Sequence, residues 1–294
     1  LADLAFPFFI FIMGATVPLS IMGRLKKGMN KRQIFIQALR RSLILVFLGL
    51  TLKALDWFAY QNFFRPYGVL QRIAFVYLVL VIIVMIFPRY RHWACVSVGL
   101  LLLYLLILSY NPFTGTFQEL SLGQYPLLPE KYHNIVDVID TRLFGDHLYN
   151  YDKDLNIGHD PEGLLSTIPS ISTGLFGVLC SAILFRRRTT NQRTVVYLML
   201  VGVVLIVSGF LSQGIIPFCK NLWTPSFALY TAGWAYLVFS LLYWVIDLNG
   251  LQNWANPLIM YGQNPIAIYF AAESIPDLFD IIRWTGPDGN IVYL

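Results

Sequence analysis

The chain has 294 residues, of which 57% are apolar or aromatic and 13% are charged, with a mean hydropathy of +0.62. A soluble domain carries about 25% charged residues, so this composition excludes a water-soluble globule, and it excludes intrinsic disorder because disordered chains are poor in apolar residues. The net charge of +5 is not a nucleic-acid signal, since the basic residues flank apolar segments in short clusters, the pattern that orients helices in a bilayer.

The pattern predicts an all-α polytopic membrane protein, a helical bundle of about eight transmembrane spans with a long extracytoplasmic loop. The spans are 3–22, 42–60, 68–87, 93–110, 163–185, 194–212, 223–246 and 256–275, each close to the roughly 20 residues that cross a bilayer. Lys53 and Asp56 interrupt the second. Three apart, they share a helix face and read as a structural pair. Seven basic residues lie in 24–41, Arg89 and Arg91 in the next turn on the same side, and Arg186, Arg187, Arg188 and Arg193 in the one after. That side is expected to be the cytoplasm. The first residue is Leu1, and the chain is expected to begin inside a longer protein and to end before its last spans. The reading takes 1–294 as one partial transmembrane domain with the loop 111–162 inside it.

The loop carries nine acidic residues against three basic ones, and His133, His147 and His159. A short helix is predicted around 134–144. Cys95, Cys180 and Cys219 all lie outside this loop, so no disulfide framework is expected. With no N-x-[ST] sequon there either, a bacterial inner membrane is the expected location.

Intramembrane polar residues are costly and usually face an interior site. Asp3 begins the first span, Gln71 and Arg72 lie one turn into the third, Asp160, Glu162 and Gly163 open the fifth, and Lys220, Asn221 and Trp223 open the seventh. The topology brings all four sets to the outer leaflet, as a site or as separate interfacial caps. In span five, Ser166, Ser170 and Gly174 form one small-residue ridge and Thr173, Gly177 and Ser181 another. Such ridges allow close helix packing or line a polar groove. In span eight, Gln263 and Asn264 precede Pro265, marking either a broken, ligand-facing helix or a plain kink. No metal-ligand spacing is present, and there is no Walker loop, dinucleotide fingerprint or nucleophile elbow.

Five runs carry a resemblance: Leu1-Ala-Asp-Leu-Ala-Phe-Pro-Phe-Phe-Ile-Phe-Ile-Met-Gly14, Gly68-Val-Leu-Gln-Arg72, Leu143-Phe-Gly-Asp-His-Leu-Tyr149, Asp160-Pro-Glu-Gly163 and Lys220-Asn-Leu-Trp223. In this order they resemble the heparan-α-glucosaminide N-acetyltransferases and their bacterial homologues. The resemblance implies transfer of an acetyl group from cytosolic acetyl-CoA, the co-substrate, to an amino sugar across the membrane. It also implies a bundle of eleven spans and a catalytic histidine upstream of Leu1, a place that His92, His133, His147 and His159 do not fill. Asp3 matches the aspartate thought to work with that histidine. Gln71, Arg72, Ser170, Asn221, Trp223 and Asn264 are the candidates to line the acetyl-CoA path. His147, Asp160 and Glu162 are the candidates to meet the sugar. The expected partners are the lipid bilayer and the amino-sugar acceptor, without nucleic acid, and a homodimer is compatible with this reading. A sugar transporter and a non-catalytic membrane scaffold are the competing readings.

Overall fold

The computed structural model describes residues 2–60, 64–117, 134–186, 192–281, 283–285 and 291–293. Among these, seven helices are long and apolar enough to cross a membrane: α1 (Ala2–Lys26), α2 (Lys31–Tyr60), α3 (Val69–Ile86), α4 (Tyr90–Ser109), α6 (Thr167–Arg186), α7 (Gln192–Ser212) and α8 (Pro225–Leu242), the last prolonged by a π-helical turn, Tyr243–Leu248. The expected eighth span is divided at Asn264, whose backbone leaves the helical region at φ −132°, ψ 55°, into α9 (Asn256–Gln263) and α10 (Pro265–Ile281). The cause is local: a proline disfavours helical backbone in the residue before it.

The extramembrane loop folds around α5 (Ile135–Phe144), where the sequence predicts a helix. Asn134 caps it by accepting from the Asp137 amide, satisfying a donor the first turn leaves open. Gly145 ends it at φ +60°, a conformation glycine adopts without penalty. A short antiparallel ribbon, β1 (Tyr110–Asn111) with β2 (Thr116–Phe117), precedes α5. A second, β3 (Asn150–Asp152) with β4 (Ile157–His159), pairs Asn150 with His159 and leads into α6. A third ribbon, β5 (Arg283–Thr285) with β6 (Ile291–Tyr293), follows α10. His133 and the arginines 187 and 188 lie outside the described residues.

The helix at the centre is α6, with 72% of its apolar window buried against 28% for α2 and for α7. Small residues put it there. A Cβ on Gly174 would strike the Leu80 side chain of α3, and one on Gly177 would run into the Phe11 carbonyl of α1. At these positions the ridge is a helix interface, not an open groove. Without a hydrophobic drive between helices in lipid, such backbone-to-backbone approach is what binds them. The same device joins α7 to α8, where Gly202 and Gly233 face each other's carbonyls. Leu43, Phe47, Leu200, Val204 and Leu211 are turned outward, as expected of surfaces that meet lipid. Lys53 and Asp56 pair at 3.9 Å, as their spacing predicts.

Candidate functional site

At the end of the bundle that carries the α5 loop, the polar residues gather around one buried cation. Arg72, in the first turn of α3, is 0% exposed. Its guanidinium donates to the carbonyls of Pro161 at 3.0 Å and Gly163 at 3.2 Å, and to the Ser166 hydroxyl. It also lies 5.3 Å from the centre of the Trp223 ring. Among the described residues no carboxylate forms an ion pair with it. A buried charge without a counter-ion is costly, and here carbonyl dipoles and the negative face of an indole take the counter-ion's place.

Trp223 adopts φ +50°, the left-handed region that is an outlier for so bulky a residue. Its surroundings hold it there. Its Nε1 donates to Thr173 Oγ1 at 3.1 Å, and Phe6 and Phe227 pack edge-on at 5.3 and 5.7 Å. The adjoining carbonyl of Leu222 accepts from the Tyr104 hydroxyl at 2.7 Å. Strained backbone that persists because its surroundings over-determine it is concentrated at functional sites.

The segment 160–166 wraps Arg72 and is gripped from its other side by Arg65, whose Nε lies 2.8 Å from Asp160 Oδ2 and whose Nη2 contacts both Asp160 and Glu162. Burial pulls the Arg65 pKa down, but hydrogen bonds and charge from these two acids outweigh it and raise it above the ordinary arginine value. Both carboxylates expected to meet a sugar are therefore engaged by an arginine. Gln71 is buried, donates to the Pro66 carbonyl at 3.2 Å and fills the space beside Gly49 of α2. The Ser170 hydroxyl is given to the Thr167 carbonyl at 2.6 Å.

Asp3 lies at the exposed rim of this cluster, one helical turn before Phe6, and pairs with Lys220 at 2.8 Å. Asn221 is exposed beside it. Two predicted residues stand apart. His147 is on the outer surface, its Nδ1 2.8 Å from the Phe64 carbonyl. Asn264 lines a cavity of about 810 Å³ between α1, α2, α3 and α10, further toward the basic ends of the helices. Arg41, from the basic segment, also lines it and lies 5.1 Å from the centre of the Tyr77 ring.

Four participants escaped the sequence reading. Arg65 lies in a short polar turn with nothing to mark its partners, which are 95 and 97 residues away. Asp137 and His159 form a buried pair at 2.7 Å. Asp140 is buried, accepts from the Leu164 amide at 3.1 Å, and has its other oxygen against Gly163. Burial, with the nearby charges of Asp160 and Asp137, pushes its pKa up to about 7. The one available signal was the three-residue spacing of Asp137 and Asp140, which aligns two acids on one face of a short helix.

Seven apolar helices and a polar cluster at one end define an integral multi-pass membrane protein of the all-α class. Comparison with known proteins narrows this. Residues 1–137 match the family model described as heparan-alpha-glucosaminide N-acetyltransferase, catalytic. The human heparan-alpha-glucosaminide N-acetyltransferase is 29% identical over 98% of this chain and 49% of its own length. The Mus musculus protein of the same name is 28% identical over 95% and 48%. The chain thus spans about half the length of the relatives it matches, and the resemblance carried by the five sequence runs is borne out.

Proposed function

We propose that the protein is a transmembrane N-acetyltransferase that moves an acetyl group from acetyl-CoA on the cytoplasmic side to the amino group of a glucosamine-type sugar at the α5-loop end of the bundle. The observation that carries this reading is the match of residues 1–137 to a catalytic family model, because this stretch contributes Asp3, Gln71 and Arg72 as well as the Arg41 and Tyr77 wall of the cavity. The names of the human and mouse relatives supply the reaction class and the sugar. The clustering of basic residues at one end of the helices supports the sidedness.

The chemistry asks for few groups. The amine nitrogen attacks the thioester carbonyl, a C–N bond forms, the C–S bond breaks, and the amine proton passes through a base to the departing thiolate. A histidine suits the proton transfer. The family resemblance puts that histidine N-terminal to Asp3, and Asp3 would hold its tautomer and stabilise imidazolium. Arg41 and Asn264 would meet the polar part of the extended co-substrate in the 810 Å³ cavity, which is within the size range of small-molecule sites. Arg72 and Trp223 would brace the far end. The acidic, aromatic loop suits an ammonium-bearing sugar.

The test is thermal unfolding of the purified full-length protein with acetyl-CoA, followed by radiolabelled acetyl transfer to glucosamine. A ligand that binds only the native state stabilises by about 2.7 kcal/mol at a hundredfold excess over Kd. A rise in melting temperature that Arg41→Gln abolishes is the expected result. No stabilisation at millimolar acetyl-CoA overturns the reading in favour of a sugar transporter.

A further inference from the structure

A second cavity, of about 540 Å³, lies toward the basic ends of the helices among α4, α6, α7 and α8. Its α6 wall is Leu179, Ala182 and Ile183, and its α7 wall is Tyr197, Val201 and Leu205. The three α7 residues recur every four positions and so form one face of that helix. One step further along the same face is Arg193, exposed in the first turn of α7. Tyr90, the first residue of α4, also lines the crevice, and Arg91 follows it along the chain. Arg89 precedes it. Deeper in, the Tyr236 hydroxyl is given to the Phe176 carbonyl at 2.8 Å.

The crevice is therefore lined by apolar side chains and tyrosines, with Arg193 one turn beyond its α7 wall and Arg89 and Arg91 flanking Tyr90 along the chain, and it lies between helices that cross the membrane. We propose that it is a binding site for an anionic glycerophospholipid, with an acyl chain between α6 and α7 and the phosphate among Arg193, Tyr197 and Tyr90. Charge complementarity selects this occupant. A zwitterionic lipid fills the trough but offers the arginines no net charge, and a soluble anion meets the arginines but leaves the trough unused. Arginines near an anionic lipid surface add attraction residue by residue, and buried methylenes of the chain add to it. None of these residues belongs to the Arg72 cluster or to the cavity holding Arg41, so the inference stands independently of the proposed reaction.

The test is native mass spectrometry of the purified full chain titrated with phosphatidylglycerol or with phosphatidylcholine of the same chain length. Phosphatidylglycerol is expected to be retained about fivefold or more over phosphatidylcholine, the weight of one arginine at a charged surface. Arg193→Gln, an exposed substitution, should erase most of that preference. Ala182→Trp should fill the crevice and lower retention of both lipids, while Leu200→Trp, on the outward face of α7, should leave them unchanged. Equal retention of the two lipids overturns the proposal. So does a preference that survives both Arg193→Gln and Ala182→Trp, or cross-linking through Tyr197→Cys that shows a second copy seated in the crevice.

Discussion

Asp3 and Lys220 meet at the exposed rim of the bundle, where an ion pair surrounded by water contributes little to stability. Replacement of Asp3 by asparagine therefore isolates its chemistry. Asp3 lies in the first turn of α1, where losing its charge costs only about 0.3–1 kcal/mol against the helix dipole, so the variant should fold and bind acetyl-CoA normally. If Asp3 orients and charges a histidine base, acetyl transfer should fall by at least about 10²-fold, a milder effect than the ~10⁴ of the corresponding change in a serine-protease triad. Wild-type turnover in Asp3→Asn removes Asp3 from the mechanism. A second prediction concerns Asp140. Its folded pKa of about 7 lies above the ~4 of an unfolded aspartate. Between these values the folded state holds the extra proton, so stability should fall as pH rises from about 4 through 7 and level off above that. The ceiling on the loss is about 4 kcal/mol, since each tenfold change in proton affinity is worth about 1.4 kcal/mol. Asp140→Asn keeps an acceptor for the Leu164 amide and removes the titration. Its melting temperature should be flatter than wild type between pH 5 and pH 8, and identical slopes would sink the assignment.

Helices meet through their small residues, and this makes a prediction at the scale of the element. Because a Cβ on Gly177 would run into the backbone carbonyl of Phe11, no side-chain rotation relieves it, and α1 and α6 must move apart. Gly177→Ala should cost about 1–3 kcal/mol, the usual range for overpacking, read as a lower melting temperature in detergent. Gly23→Ala, with open space around it, should be neutral or slightly stabilising through helix propensity. Equal effects would show that the α1–α6 approach is not set by glycine. The spans themselves were legible because hydropathy reports length in lipid. The first turns of α2 were not, since Lys31–Arg41 is helical yet too charged to register as a span. The break at Asn264 was legible as a break or a kink from the proline that follows it, and the structure shows the helix divided there.

The bundle as a whole has one basic end, and its orientation can be tested directly. A cysteine at Asn150, in β3 of the loop, should react in intact cells with an impermeant thiol reagent. One at Gln192, at the start of α7, should react only after the membrane is opened. The expectation rests on the 13 basic residues of the three loops that share one side and on the bias that holds such loops in the cytoplasm. Reversed labelling would invert the proposed direction of acetyl transfer.

The sequence by itself determined that this chain is a helical membrane protein, about where its spans lie, that 134–144 is helical, and that Asp3, Arg72, Asp160 and Trp223 come to one end. These are readable because hydropathy, charge and chain direction are properties of local segments. Only the tertiary structure decided which polar groups meet. Arg65 takes Asp160 and Glu162, Asp137 takes His159, and Arg72 is left to carbonyls and an indole. Partners nearly a hundred residues apart leave no local trace, since pairing is set by how helices cross and by which backbone a glycine lets close. The same packing made Gly174 and Gly177 of the α6 ridge a helix interface, one of the two readings the sequence left open, and opened cavities beside α10 and α7 that no spacing along the chain could announce.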